Sequence, residues 1–246
     1  MSKNQRTVFV GLAIMTIVAM VLFFIFQPAD SNQNWEQHYR HNTEDPFGTE
    51  YLFKMLNGYE KVDQLVQLTD SLKTDIKGNW KPEKGSYLFL GRYPYYSTGD
   101  IDVLIENVSS GSNAFIIAAN IPEALVTQLY PNSCHTGYYD EFGEPLEEYW
   151  AGYSSERAHS ITVNFWEDPL ALEEDLVFQH REKNKLQRED WPYVTYSTFC
   201  NQSGLEFEVL GYLNEQLSNF IRIPLGEGFI YLHTNPLLFS NYQMAK

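Results

Sequence analysis

The sequence is short of cysteine, of basic residues and of the glycine loops that hold phosphates. Each shortage excludes a class of function. Two cysteines, Cys134 and Cys200, occur in 246 residues, with no C-x-x-C. Zinc ribbons and dithiol redox motifs are therefore absent. No G-x-G-x-x-G follows an apolar run and no G-x-x-x-x-G-K-[ST] occurs, so nucleotide binding through those loops is not expected. The six histidines, at 38, 41, 135, 159, 180 and 233, form no H-E-x-x-H. His38 and His41 lie beside Trp35 and Tyr39 and read as structural. The acidic stretch Tyr139 to Glu148 lacks the ordered spacing of a calcium loop and reads as a solvated loop. No metal and no cofactor is expected. Lys and Arg number 17 against 32 Asp and Glu, a formal net charge of −15. Such a surface repels nucleic acid phosphates, which removes nucleic acid as a partner.

What the sequence does have is one long apolar run. Val8 to Phe26 is uncharged throughout and, as a helix, spans about 28 Å, close to a bilayer core. Lys3 and Arg6 precede it, while Asp30 and Glu36 follow. Positive residues stay cytoplasmic, so the expected topology is N-terminus inside and bulk of the chain outside. Gln27-Pro28-Ala29-Asp30 is a poor signal-peptidase site, which favours an uncleaved single-pass anchor in the cytoplasmic membrane. The expected division is 1–29, cytoplasmic tip and anchor, then 30–246, an extracytoplasmic domain. Outside the cytoplasm a Cys134–Cys200 disulfide is permitted; two unpaired cysteines remain an equal alternative.

Beyond the anchor, apolar runs alternate with helical patterns. Trp35 to Arg40 and Val62 to Leu68 read as strands. Thr43 or Asp45 caps a helix with Pro46 in its first turn, ending at Asn57-Gly58. Thr69 to Ile76 reads as a short helix. Tyr87 to Gly91 and Asn113 to Ala119 look like buried parallel strands. Between them Ser97-Thr98-Gly99-Asp100 forms a capping box for a helix closed near Gly111. A further helix follows Pro122. From about 131 to 220 the pattern changes to turns, aromatics and short alternating runs, read as a strand-rich insertion. It includes one acidic helix-like piece, Pro169 to Val177. Two strands then flank Leu225-Gly226-Glu227-Gly228 as a hairpin. The fold class is α/β, a mostly parallel open sheet.

The strand ends are the candidate site, because open α/β sheets bind ligands beyond the carboxyl ends of their strands. These ends carry Arg92, Tyr93, Asn120, His233 and Asn235. The competing reading is that they close turns and cap helices. Neither strand-to-helix corner, Leu90 to Pro94 or Ala118 to Pro122, carries a Ser or Cys nucleophile. No catalytic residue is assigned. The alternative is an extracytoplasmic hydrolase acting on glycans or amides, with carboxylates near the strand ends.

Several motifs, in order, resemble a bacterial group, the domain of unknown function 4350 family. Asp45-Pro46-Phe47-Gly48-Thr49 with Leu52, Met55 and Leu56 resembles its opening motif. Tyr87 to Gly91 with Asp100, and Gly111 to Ile116, resemble its strand entries. Gly226-Glu227-Gly228, the strand to His233, Pro236, Phe239 and Ser240-Asn241-Tyr242 resemble its end. The resemblance implies structural roles for Asp45, Pro46, Gly48, Gly226, Gly228 and Asn241. It also implies a membrane-anchored periplasmic domain with class I glutamine amidotransferase-like, flavodoxin-like layering. That domain would bind a protein partner or small ligand in an envelope complex, beside a MoxR-type AAA ATPase. The amidotransferase triad is not carried over. Family members usually continue past the Asn-Tyr element, so the chain is expected to be truncated at Lys246 and its last helix barely begun.

Overall fold

In a computed structural model, the described residues are 33–59, 65–68, 71–78, 84–94, 96–129, 153–165, 175–182, 185–194 and 207–245, with Met15, Thr16, Val18 and Met20. The chain divides into two compact units, Met1–Asn34 and Trp35–Lys246. In the first, the four described residues are helical. The rest of the Val8 to Phe26 run lies outside the described residues, and no described helix is long and apolar enough to cross a membrane.

The second unit is α/β. Its helices are α1 (Glu50–Asn57), α2 (Leu72–Gly78), α3 (Thr98–Ser109), α4 (Glu123–Leu129) and α5 (Asn241–Met244), with a 3-10 turn at Pro236–Phe239. Its strands are β1 (Ser86–Gly91), β2 (Asn113–Ala118), β3 (Tyr153–Ala158), β4 (Ser160–Phe165), β5 (Leu176–Gln179), β6 (Arg181–Glu182), β7 (Lys185–Leu186), β8 (Glu189–Val194), β9 (Glu208–Leu213), β10 (Leu217–Leu225) and β11 (Gly228–His233). Seven strands form one sheet in the order β1-β2-β11-β10-β9-β4-β5, and β3–β8 and β6–β7 are separate ribbons.

The expected mostly parallel sheet is corrected to a mixed one. Only β1–β2 and β2–β11 are parallel; β11–β10, β10–β9, β9–β4 and β4–β5 are antiparallel. The cause is connection length. A parallel pair needs a crossover of a dozen or more residues. Here β9 reaches β10 through Asn214 to Gln216, and β10 reaches β11 through Gly226-Glu227. Such turns admit only antiparallel neighbours. Within the strand-rich stretch, β4, β5 and β9 extend the main sheet.

Register places one side chain from each strand in line across the sheet. The row Phe89, Ile116, Leu232, Ile221 and Val209 faces inward. There it packs with Leu72 of α2, Ile101, Leu104 and Val108 of α3, and Leu125 and Leu129 of α4. The α3 stripe at i, i+3 and i+7 is what buries that helix. The Ser97–Asp100 capping box is present as expected. A second apolar cluster joins Phe47, Ile161, Val163, Trp191, Leu213, Leu237 and Leu238.

Several local expectations differ from the structure. Trp35 to Arg40 is not a strand, and Leu65 to Leu68 is not either. The first helix starts at Glu50 rather than at Pro46, and its N-cap residue Thr49 makes no side-chain cap. Leu176 and Val177, expected in a helical piece, lie in β5; the remainder of that piece is outside the described residues. Ser240 occupies the N-cap position of α5 but makes no cap bond; its hydroxyl donates to the Leu237 carbonyl instead, at 2.7 Å.

The late start of α1 has a tertiary cause. The Asn241 side chain accepts the Tyr51 N–H at 3.0 Å, capping α1 from the other end of the chain. Its amide nitrogen donates to the carbonyls of Thr43 (2.8 Å) and Asp45 (2.9 Å). Asn241 and Tyr242 donate backbone N–H groups to Gly48 and Pro46, both at 2.8 Å. The loop through Asp45, Pro46 and Gly48 is thus closed by Asn241, with Pro46 in the loop and not in a helical turn. At the opposite end of the sheet, Gly226 adopts φ +61° and sits with Gly228 against the end of α3. A Cβ on Gly228 would stand 1.9 Å from the Ser112 carbonyl oxygen. No side chain fits there.

Candidate functional site at the carboxyl ends of the parallel strands

Because β1, β2 and β11 run parallel, their carboxyl ends share one edge of the sheet. All five candidate residues therefore gather there, but in two different environments. Arg92 and Tyr93 are exposed, with the Arg92 guanidinium 5.5 Å from the centre of the Tyr93 ring. Asn120 is also exposed, and its N–H donates to the Arg92 carbonyl at 3.1 Å, tying the two corners together. His233 and Asn235 are buried, at 4% and 1% exposure.

The buried pair belongs to a compact polar knot. The Asn235 N–H donates to His233 Nδ1 at 3.1 Å. The ring proton of neutral His233 is therefore on Nε2, so the 3.5 Å approach of the Asn219 amide nitrogen to it is a contact between two donors and not a hydrogen bond. Asn219 donates to Asn235 Oδ1 at 3.1 Å, and Asn235 donates to the Pro192 carbonyl at 3.0 Å. Thr234 adds a hydroxyl bond to the same carbonyl at 2.5 Å, and its N–H donates to the Asn219 carbonyl at 2.9 Å. Pro192 lies in β8, so the knot fastens the β3–β8 ribbon to the end of β11.

Aromatic rings close over the imidazole. Phe220 lies 5.4 Å away and Phe239 5.1 Å, centre to centre. Burial pushes the His233 pKa down to about 3. The geometry agrees, because a proton on Nδ1 would oppose the Asn235 N–H. A ring that stays neutral and committed at Nδ1 is poorly placed for acid–base work near neutral pH. Among the described residues no group of three or more His, Cys, Asp or Glu could hold a metal ion. Cys134, Cys200 and the acidic stretch 139–148 lie outside the described residues.

Asn219, Thr234 and Pro192 complete this knot and were not singled out in the sequence. Asn219 carried only a weak signal, an amide in a strand that also holds Ser218 and Arg222; its full burial is known from the structure. Pro192 carried none, because a carbonyl acceptor has no side-chain signature.

The opposite face of the sheet has a different character. The row Leu88, Phe115, Tyr231, Arg222 and Glu208 runs across five strands on the side away from α3. Phe115 and Tyr231 stack at 4.4 Å with planes 4° apart. Arg222 lies over the Phe229 ring at 5.2 Å and is bound to Glu208 through Nε at 2.8 Å. The hydrogen bond to Glu208 raises the guanidinium pKa, against a smaller opposing effect of burial. Leu88 is 43% exposed, and Phe115, Phe229 and Tyr231 are half-buried.

Compared with models of protein families, with curated proteins and with solved structures, the chain matches none. The functional reading therefore rests on its own geometry.

Proposed function

We propose that this chain is a membrane-anchored binding domain without chemistry of its own, which docks a helix of a partner protein in an envelope complex. The observation that carries the reading is the outer sheet row of Leu88, Phe115 and Tyr231 beside Phe229. Parallel strands are ordinarily covered on both faces. Here the apolar contacts of α2, α3 and α4 go to the inner cluster. Leu88 to Tyr231 spans two strand spacings, roughly 10 Å, which is the diameter of one helix with its side chains. The Arg222–Glu208 pair borders this strip on one side. The formal charge of −15 favours a partner helix with basic flanks.

The anchor reading is supported by the run from Val8 to Phe26 with Lys3 and Arg6 before it, which favours a binding domain on the outer side of the membrane. The amidotransferase-like layering is supported by one part of the fold, the parallel β1–β2–β11 unit with α3 between its first two strands. A small ligand would take the exposed rim at Arg92, Tyr93 and Asn120.

The test is photocrosslinking from positions 88 and 115 in native membranes, with the exposed α3 position 106 as control. A single cross-linked protein, joined through a helical segment at 88 and 115 but not at 106, is the expected result. Equal products at all three positions, or none at 88 and 115, would overturn the docking reading. Turnover of a glycan or amide by the purified chain would overturn its non-catalytic part.

A further inference from the structure

His180 follows β5, is buried at 6% exposure and is not part of the polar knot. Its ring stacks on Phe47 at 5.5 Å with planes 21° apart. Nε2 lies 3.5 Å from a Glu189 carboxylate oxygen of β8. That same oxygen accepts from the Gln37 side chain at 3.3 Å, and Gln37 in turn accepts from the Tyr39 hydroxyl at 3.4 Å. The imidazole is thus the junction between the segment Trp35 to Thr49 and the β5–β8 strands. Its other nitrogen, Nδ1, is buried and has no hydrogen-bond partner among the described residues.

The arrangement suits one protonation state. In the neutral ring with hydrogen on Nε2, that hydrogen is on the nitrogen 3.5 Å from Glu189 and Nδ1 keeps only a lone pair. Adding a proton places an N–H on Nδ1, which bonds to no acceptor among the described residues. A buried donor without a partner is destabilising. We propose that His180 is a proton-operated latch: neutral, it holds the segment Trp35 to Thr49 against β8, and protonated, it lets that segment open.

The surrounding charges act in the expected directions. Burial dominates and lowers the His180 pKa; Glu189 on β8 and Glu182 on β6 oppose it and only partly offset it. Phe47, the group that faces the ring from the N-terminal segment, carries no charge. Tyr39 stays protonated, chiefly by burial and secondarily by Glu189, with Arg92 acting the other way. From α5, Gln243 donates to the neighbouring Gln179 carbonyl at 2.7 Å and brings no charge. Opening would uncover Phe47, whose ring also packs in the cluster with Ile161, Trp191 and Leu237.

The latch is tested by hydrogen exchange on the full chain, corrected for intrinsic rates, between pH 7.5 and pH 5. The Tyr39 and Thr49 amides, bonded at 2.9 Å to the Phe47 and Arg40 carbonyls, report the segment. The Ile116 and Leu232 amides report the sheet. Protection at Tyr39 and Thr49 is expected to fall by up to about tenfold per pH unit below about 6.5, the slope of one proton. In His180→Phe, which keeps the ring on Phe47, this loss should shrink to that of the sheet amides. No such loss in the natural chain, or an undiminished loss in His180→Phe, would overturn the proposal. Should that variant fail to fold, imidazole nitrogen NMR of the natural chain decides. Hydrogen on Nε2 with titration below pH 6.5 supports the latch, and titration at or above 6.5 overturns it.

Discussion

Asn241 occupies the space in which a side chain at residue 48 would stand. A Cβ on Gly48 would lie 2.9 Å from the Asn241 amide nitrogen and 2.6 Å from the Thr43 carbonyl oxygen. The same amide satisfies the Thr43 and Asp45 carbonyls and caps α1 at Tyr51. Truncating Asn241→Ala removes all three bonds, each of them part-buried, and leaves their backbone partners without them. The expected loss is about 3 kcal/mol, read as a lower urea midpoint with unchanged slope. Asn241→Asp should lose nearly as much, because a carboxylate cannot donate to two carbonyls. An Asp variant as stable as the natural chain would refute this role.

The β10–β11 turn makes a graded prediction. Gly228 has the Ser112 and Val108 carbonyls at 1.9 and 2.4 Å from a Cβ, whereas Gly226 meets the Ser109 carbonyl at 2.4 Å and needs φ +61°. Both alanine substitutions force backbone movement at the end of α3. Gly228→Ala is expected to cost the more, on the order of 3 kcal/mol against roughly 2 for Gly226→Ala, in thermal or urea unfolding.

Asp100 serves two helices. Oδ2 accepts the Ser97 N–H at 3.0 Å and the Ser97 hydroxyl at 2.6 Å, and Oδ1 accepts the Lys73 N–H at 2.8 Å, capping α2. Burial alone would raise its pKa, but the hydrogen bonds from Ser97 and Lys73 outweigh it and the net shift is downward. The sign follows: this stabilisation is present above the unfolded pKa, near 4, and is lost as pH falls through the lower folded value. Asp100→Ala should destabilise by about 2 kcal/mol at pH 7. The difference between the two proteins should shrink below about pH 3.5.

His233 predicts acid sensitivity of the whole domain. Its folded pKa of about 3 is below the unfolded value near 6.5, so the unfolded chain binds the proton more tightly. Above about pH 6.5 the residue contributes no pH dependence. Below that, stability falls by up to about 1.4 kcal/mol per pH unit until the folded pKa is reached. Between pH 6.5 and pH 5 the loss is about 2 kcal/mol. His233→Gln should be less stable at pH 7, having lost the ring packing, yet show a flatter pH profile. Parallel profiles for the two proteins would contradict it.

The parts of the fold that were legible in the sequence are those fixed by local patterns. β1, α3 and β2 follow from two apolar runs and a helical stripe opened by Ser97–Asp100, all within one short stretch of chain. The β10–β11 hairpin follows from Gly226-Glu227 between apolar alternations. Trp35 to Arg40 failed as a strand because Tyr39 adopts φ +52° and its N–H bonds to Phe47, bending the segment into a loop. The first helix starts later than Pro46 suggests because its cap comes from Asn241, which has no local signature. Of the five strand-end candidates, burial separates His233 and Asn235 from Arg92, Tyr93 and Asn120. The separation depends on the β8 ribbon and the Pro236–Phe239 turn covering one part of the edge.

The sequence by itself determined the α/β character, the single apolar run, the acid excess and the two glycines that bring the last hairpin against α3. Those are properties of residue type and short-range spacing. Tertiary structure alone decided that β4 and β5 join the sheet of β1, β2 and β11, because which distant strands meet is not set by any local connection. It also decided that His233 and Asn235 are enclosed, that Asn241 closes the loop at Gly48, and that Leu88, Phe115 and Tyr231 line one strip. Each of these joins residues far apart in the chain, and such contacts leave no period or motif in the sequence to read.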